Sequence, residues 1–508
     1  LNDTLLAIIA LVPVVYLIVS LGVFKVPAHK ACTITLGITV ILAVGVWKMG
    51  VIPALLAAVE GILLGLWPIM IVIIAALFTY NLALHTKSMD TIKNMLSNIT
   101  TDRRIQVLIL AWGFGGFLEA VAGYGTAVAI PASILAALGF EPVFAAVICL
   151  IANTVPTAFG AVGIPVTTLA KVANLDVNTL SFYTGLQLTI FIILIPLVLV
   201  IMTTRSIKGL KGVTAITLMS GISFAVPQLF AAKFLGPELP ALIGSILSLG
   251  VTIFMVKKFH RNEMAAAMVL DNKITLKEGT LAWLPYILIF VLIIITSPLF
   301  PAISEQVGHV KTSIMVYNGQ GAKPTEFKWI STPGTLIIIA ATIGGLIQGA
   351  KFSEIVKVFI LTVKQLSKSI VTVLSIVALA KVMGYSGMIS SIAVILVKIT
   401  GRAFPLISPV IGALGTFITG SDTSANVLFG PLQTSVANSI NVSPYWLAAA
   451  NTAGATAGKM ISPQSIAIAT SATGLIGQEG RIFNKTVRFC MAYVIVLGIL
   501  IYFGSSMV

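Results

Sequence analysis

Three ionisable side chains lie where an apolar chain has least use for them. Glu119 sits in GGFLEAVAGYGTAVAIP (115–131), Asp422 in GTFITGSDTSANVLFGP (415–431) and Lys459 in ANTAGATAGKMISP (450–463). Each segment is an apolar run interrupted by glycine, proline or small polar residues. A charge at the centre of a bilayer costs about 2.5–3.5 kcal/mol even on the lenient insertion scale. Three of them in such breaks imply a polar cavity. Lys459 is suited to attract a carboxylate. Glu119 and Asp422 are candidates to exchange a proton, since desolvation disfavours the charged form of a carboxyl. Plainer roles remain open: Glu119 and Lys459 as a buried ion pair that fixes packing, and Asp422 as the N-cap of a helix beginning near Thr423.

The neighbours of these residues supply hydrogen-bonding groups. Glycine lets the backbone turn and approach a ligand without a Cβ, and N–H groups freed at helix N-termini favour an anion. The substrate-binding candidates are therefore Gly123, Tyr124, Gly125 and Thr126 at one break, and Ser421, Thr423, Ser424 and Asn426 at another. A second pair of breaks, ANTVPTAFGAVGIP (152–165) and the lysine segment, adds Asn153, Thr154, Asn451, Thr452 and Gln464. The Asn and Thr side chains of this pair serve either a ligand or unwound backbone.

The elements that must hold these residues are membrane helices. The chain has 508 residues, 58% hydrophobic and 9% charged, with mean hydropathy +1.06. A soluble domain carries roughly 25% charged residues, so lipid must cover this one. Apolar runs such as LLAIIALVPVVYLIVSLGVF and LTIFIILIPLVLVIM recur, several of them near the roughly 20 residues that cross a bilayer. The fold class is all-α, a polytopic membrane protein with about 12–14 transmembrane helices, re-entrant hairpins and broken helices. Long helices are expected near 53–84, 143–160 and 354–384. The polar stretch 86–104 reads as an amphipathic surface connector, and the first apolar run as a retained helix.

Two halves repeat at an offset near 300 residues: Phe117 matches Phe417, Pro131 matches Pro431, Asn153-Thr154 matches Asn451-Thr452 and Pro165 matches Pro463. Basic loops at KVPAHK and DNKITLKEG orient the helices. They place Gly50 outside and its repeat equivalent Lys351 inside. The halves, about 31–205 and 333–506 joined by 206–332 within one domain, are thus expected to be inverted. Secondary transporters with such repeats place their sites at the midplane in interrupted helices.

Other chemistries are excluded or set aside. The net charge of +15 resides in short loops between apolar runs, so nucleic-acid binding is not expected. GATAGKM (454–460) lacks the spacing and the Ser/Thr of a phosphate-binding loop, and there is no HExxH motif. No metal and no cofactor is implied. Asp422 lacks a matched aspartate or Ser/His pair for hydrolysis, so the protein is not read as an enzyme. Cys32, Cys149 and Cys490 read as core residues. Glu60 and His85 receive no chemical role, and Lys381 is expected to snorkel.

At FGGFLEAVAGYGTAVAIP, LIANTVPTAFGAVGIP, GSDTSANVLFGPLQ and AANTAGATAGKMISPQSIAIA the sequence resembles the lactate permease family across essentially the whole chain. The family belongs near the ion-transporter superfamily. The resemblance implies proton-coupled uptake of a small monocarboxylate (L-lactate, D-lactate or glycolate) across the plasma membrane, with Lys459 holding the carboxylate and Glu119 or Asp422 the proton. Tyr124, where phenylalanine is expected, and Thr126-Ala127 depart from the pattern, leaving the preference between lactate and glycolate open. A sodium-coupled carboxylate transporter is the alternative, an anion channel a further one, and a homodimer is a possible assembly.

Overall fold

The computed structural model describes residues 2–506 except 23, 25, 98, 124, 260–273, 297–299, 320, 321, 323, 476 and 477. Among the described residues eleven helices are long and apolar enough to cross a membrane, or twelve when the bent pair Pro142–Ala152 and Pro156–Ala173 counts as one span. The protein is a multi-pass, all-α membrane protein. The count meets the lower end of expectation because some apolar helices are half-crossings. Thr126–Ala137 has 12 residues and rises only about 18 Å, against about 30 Å of hydrocarbon.

Two helical hairpins hold the outer features of the site. The first runs up through Arg103–Val121, turns at Gly123 and Gly125, and returns as Thr126–Ala137. Its turn uses φ of +58° and +82° at those glycines, a region that L side chains disfavour. Its feet are tied together by Arg103 Nη2 donating to Gly139 O at 3.2 Å. Arg104 Nη1 donates to Gly209 O at 2.8 Å, which joins this end to the basic loop 205–211. The charge bias assigns that end to the cytoplasm. The second hairpin, Phe404–Thr419 and Asp422–Ser439, turns at Gly420 with φ +73°.

A broken helix follows each hairpin. After Pro142–Ala152 the α-helix gives way to a turn and one turn of 3-10 helix, Pro156–Phe159, and Ala161, Val162 and Gly163 are left-handed before the α-helix resumes. The continuous helix expected over 143–160 therefore ends at Ala152, where Pro156 and Gly160 follow. The second copy behaves differently. Pro444–Lys459 is uninterrupted helix, and the break is confined to Met460–Ser462 before Pro463–Thr473. Its glycines do not unwind it. A Cβ at Gly454 would run into Pro409 O, one at Gly458 into Ala413 O, and one at Gly412 into Asn451 O. This is the close helix–helix crossing that small residues four apart permit in membranes.

Other departures have local causes. The helix expected over 53–84 spans Val51–His85 but kinks at Trp67 (φ −134°, ψ 118°), since the residue before Pro68 is pushed toward extended geometry. The segment 354–384 is two helices, the amphipathic Phe352–Gln365 and the crossing helix Ser367–Ser386. The expected connector at 86–104 appears as the helix Ser88–Ser97. Residues 311–328, without a readable motif, form an antiparallel two-stranded ribbon, Lys311–Ile314 with Thr325–Lys328. Trp67 anchors it, donating from Nε1 to Lys328 O at 3.1 Å and packing on Trp329 at 4.9 Å.

Overpacking a close crossing costs about 1–3 kcal/mol. Gly454→Ala is expected to lower the thermal unfolding temperature of the purified protein by several degrees. Gly250→Ala, where a Cβ meets nothing within 4 Å, leaves it unchanged.

Candidate functional site

The two hairpin turns and the two helix breaks meet around one small cavity of about 70 Å³. Glu119, Gly123 and Gly125 line it from the first hairpin, and Gly420, Ser421, Asp422 and Thr423 from the second. Thr157, Gly160 and Ala161 come from the first break, and Lys459, Gln464, Ser465 and Ile468 from the second. Segments far apart in sequence are thus brought to one place by the four interruptions.

Lys459 Nζ lies 2.9 Å from Glu119 Oε1, with side-chain exposures of 14% and 3%. Glu119 Oε2 is buried and has no donor. Gly160 makes room for the carboxylate, because a Cβ there would stand 2.6 Å from Glu119 Oε1. Lys459 is the last residue of its helix, where the negative end of the backbone dipole favours a cation. Asp422 is the first residue of its helix and is buried. Its Oδ1 accepts from Thr416 Oγ1 at 3.1 Å, while Oδ2 has no partner. The capping role considered for Asp422 belongs instead to Ser421, whose side chain accepts from Ser424 N at 3.3 Å.

Three helices begin at this cavity, at Thr126, Asp422 and Pro463. Their first-turn N–H groups lack intrahelical partners and present partial positive charge. One ammonium and three helix N-termini therefore face two carboxyl groups whose outer oxygens are unpartnered. The arrangement can receive a small anion and can hold a proton.

The remaining candidates divide clearly. Asn426, Asn451 and Thr452 are absorbed in a buried network. Asn426 Nδ2 donates to Thr452 Oγ1 at 2.7 Å and to Pro165 O at 3.2 Å, Asn451 Nδ2 to Asn426 Oδ1 at 2.9 Å, and Gln433 Nε2 to Asn451 Oδ1 at 3.1 Å. These bonds stitch the return helix of the second hairpin to the lysine-bearing helix and to Pro165, just past the first break. Thr126 Oγ1 donates to Gly123 O at 2.7 Å and closes the first turn, and Thr154 Oγ1 donates to Leu150 O at 3.3 Å. Asn153 Oδ1 is buried without a partner. Tyr124 lies outside the described residues.

Sequence reasoning missed Thr416, Thr157, Gly160 and Ser465, whose ordinary types carry no signal until the fold assembles them. It also passed over a second buried pair. Lys381 does not snorkel alone: its Nζ lies 2.8 Å from Glu60 Oε1, to which Tyr385 Oη also donates at 2.9 Å. His85 lies 3.7 Å from Glu354 and is half exposed, as an interfacial side chain would be. The Glu60 pair borders a larger vestibule of about 690 Å³, beneath the two-stranded ribbon. At its rim, burial pushes the Glu238 carboxyl up to about 7, against the pull of Lys171 and Lys328.

The family model described as L-lactate permease matches residues 6–508. An L-lactate permease of Streptococcus iniae is 52% identical over 87% of this chain and 93% of its own. The glycolate permease GlcA of Escherichia coli is 38% identical over 97% and 94%, and an L-lactate permease of Bacillus subtilis 36% identical over 99% and 96%. Among solved structures, MtrF of Neisseria gonorrhoeae, described as illuminating a class of antimetabolite efflux pumps, aligns over 96% of each chain. Its TM-score is 0.51 at 13% identity, a likeness of fold alone.

Removing one partner of a buried ion pair leaves the other charge stranded, at a cost of about 3–5 kcal/mol, whereas removing both is often near neutral. Glu119→Ala and Lys459→Ala are each expected to lower thermal stability strongly. The double Glu119→Gln/Lys459→Gln variant stays within about 1 kcal/mol of the parent by the same rule, as unfolding in detergent would measure.

Proposed function

This chain belongs to the L-lactate permease family, and on that premise we propose that it takes up L-lactate and related 2-hydroxy monocarboxylates, D-lactate and glycolate among them, by proton symport across the plasma membrane. The observation that carries this reading is the Lys459–Glu119 pair: one largely buried ammonium, already claimed by a carboxylate at 2.9 Å. A substrate carboxylate must compete with Glu119 for that cation. Protonation of Glu119 removes the competitor and frees Lys459 for the substrate.

Charge balance then couples the two ligands. Empty, and with Asp422 carrying its proton throughout, the cavity holds an ammonium and the Glu119 carboxylate, a neutral pair. Loaded, it holds the ammonium, the substrate carboxylate and a protonated Glu119, again neutral. Substrate without proton, or proton without substrate, leaves one unpaired charge, which a low-dielectric interior penalises by several kcal/mol. Only the matched states cross the apolar barrier at low cost.

The other residues take supporting parts. Backbone N–H groups of Asp422 and Thr423, in the first turn of the second hairpin's return helix, assist the carboxylate, while those of Ser421 and Ser424 are taken by Thr419 Oγ1 and Ser421 Oγ. Gln464 and Ser421 line the cavity and are placed to meet the 2-hydroxyl. Asn451, Thr452 and Asn426 hold the frame. Asp422, with an unpartnered oxygen, is the second candidate for the proton. Repeats at about 31–205 and 333–506, inverted about the midplane, would carry the hairpins between the two faces.

Proteoliposome uptake of labelled L-lactate tests this in sodium-free buffer under an imposed pH gradient. Lys459→Gln is expected to reduce uptake about 30- to 1,000-fold, the loss of about 2–4 kcal/mol for a buried charged contact. Glu119→Gln is expected to abolish accumulation driven by the pH gradient while keeping lactate exchange within about threefold, since the neutral amide no longer claims the cation. If Glu119→Gln still accumulates lactate and Asp422→Asn does not, the proton belongs to Asp422. Uptake that follows a sodium gradient instead would replace the proton reading.

A further inference from the structure

The vestibule is about 690 Å³, roughly ten times the central cavity. The two share Ile164 in their walls, so only the unwound segment around Ala161–Ile164 separates them. Strand Thr325–Lys328 borders the vestibule, and Glu60, Lys381 and Tyr385 line its wall too. Tyr317, between the two strands, stacks on Tyr385 at 3.8 Å. Glu60, Lys381 and Tyr385 belong to helices Val51–Leu64 and Ser367–Ser386, outside the hairpins and breaks.

This wall is rigid. A Cβ at Gly61 would run into the backbone of Ala378, and one at Gly65 would stand 2.8 Å from Leu374 Cδ2. The two helices therefore cross at glycine-limited distance, with Glu60 beside one glycine and Lys381 one turn beyond Ala378. The pair they present is incompletely satisfied. Glu60 is 2% exposed, and its Oε1 takes both Lys381 and Tyr385, whereas Oε2 is buried without a donor. Lys381 has three N–H donors, its side chain is 18% exposed, and its head borders the cavity. Lys171 and Lys328 also line the vestibule.

The geometry points to a second, stationary substrate subsite: Lys381 takes the carboxylate of a small 2-hydroxy monocarboxylate in the vestibule, and Glu60 accepts the hydrogen bond of its hydroxyl. The terminal torsion of a glutamate is broad, so a turn of the carboxylate releases Lys381 to the ligand carboxylate and shares the two Glu60 oxygens between Tyr385 and the ligand hydroxyl without moving the helix. The pair is held on the static wall, one unwound segment away from Lys459. It thus serves as a capture point that passes substrate to the central cavity. The inference rests on the small-carboxylate reading above, and it adds a place where the substrate waits.

A cysteine placed on the vestibule wall reports whether carboxylates gather there. Leu64 lines the vestibule one helical turn from Glu60, and the native Cys32, Cys149 and Cys490 are buried. In purified Leu64→Cys protein, alkylation by iodoacetate, a small monocarboxylate, is compared with alkylation by neutral iodoacetamide, using mass spectrometry. The ratio of the two rates cancels changes in thiol reactivity. It is expected to fall at least about fivefold when Lys381→Gln/Glu60→Gln is added, the double change sparing the fold a stranded charge. Millimolar L-lactate should protect against iodoacetate, more than equimolar propionate, which lacks the hydroxyl. Adding Lys459→Gln instead should leave the ratio unchanged.

A ratio indifferent to the Lys381/Glu60 change overturns the subsite, as does a Lys381-dependent ratio that L-lactate does not protect. Transport assayed on the same Leu64→Cys protein keeps the two readings apart. Lactate uptake without a Lys381-dependent ratio sinks the subsite alone, while absence of lactate uptake sinks the permease reading on which it stands.

Discussion

A cation held away from water must have an anion, and among the residues that line the central cavity Lys459 is the one cation. Lys459 reaches the cavity from the end of a helix and finds Glu119 at 2.9 Å. Isolated, either charge would be costly at this depth. Together they are tolerated, and in the proposed cycle a substrate carboxylate would take the place of Glu119 on the ammonium. Under the proposed symport, that constraint would set the preference for a small monocarboxylate and the link between substrate and proton.

The fold is arranged to leave that exchange possible. Glycines do two different jobs. At Gly123, Gly125 and Gly420 they permit left-handed turns that end one helix and start the next beside the cavity. At Gly454 and Gly458 they stay helical and let the lysine-bearing helix press against the backbone of Phe404–Thr419. The first break is looser, with Ala161 and Val162 in a region that non-glycine residues rarely adopt. Such strain persists only where surrounding structure enforces it. Here the segment Ala161–Ile164 also forms the partition between the central cavity and the vestibule. The Asn426–Asn451–Thr452 network braces the other side of the same partition through Pro165.

Much of this was legible in the chain. The cost of charge in an apolar run pointed directly to Glu119, Asp422 and Lys459, and the fold brings all three to one cavity. The paired interruptions located both hairpins and both breaks. What the sequence hid depends on contact between distant segments. Glu60 and Lys381 each looked incidental in isolation, because nothing local announces that the helices carrying them cross at Gly61. Ser421 and Asp422 both suit a helix start, and only the geometry assigns the cap to the serine. The glycines of Gly454–Gly458 read as a break, since a sequence does not distinguish glycine for bending from glycine for close packing. The asparagines and threonines beside them were similarly ambiguous, and the structure turns most of them inward to one another.

The most direct measurement is of the Glu119 proton itself. Infrared difference spectroscopy on the purified protein, with and without L-lactate, reads carboxylate and carboxylic acid as separate bands. The account predicts that binding lactate creates a carboxylic acid signal and removes a carboxylate one, and that both changes vanish in Glu119→Gln. Lactate binding with Glu119 remaining ionised, and the same difference spectrum in the variant, would contradict it.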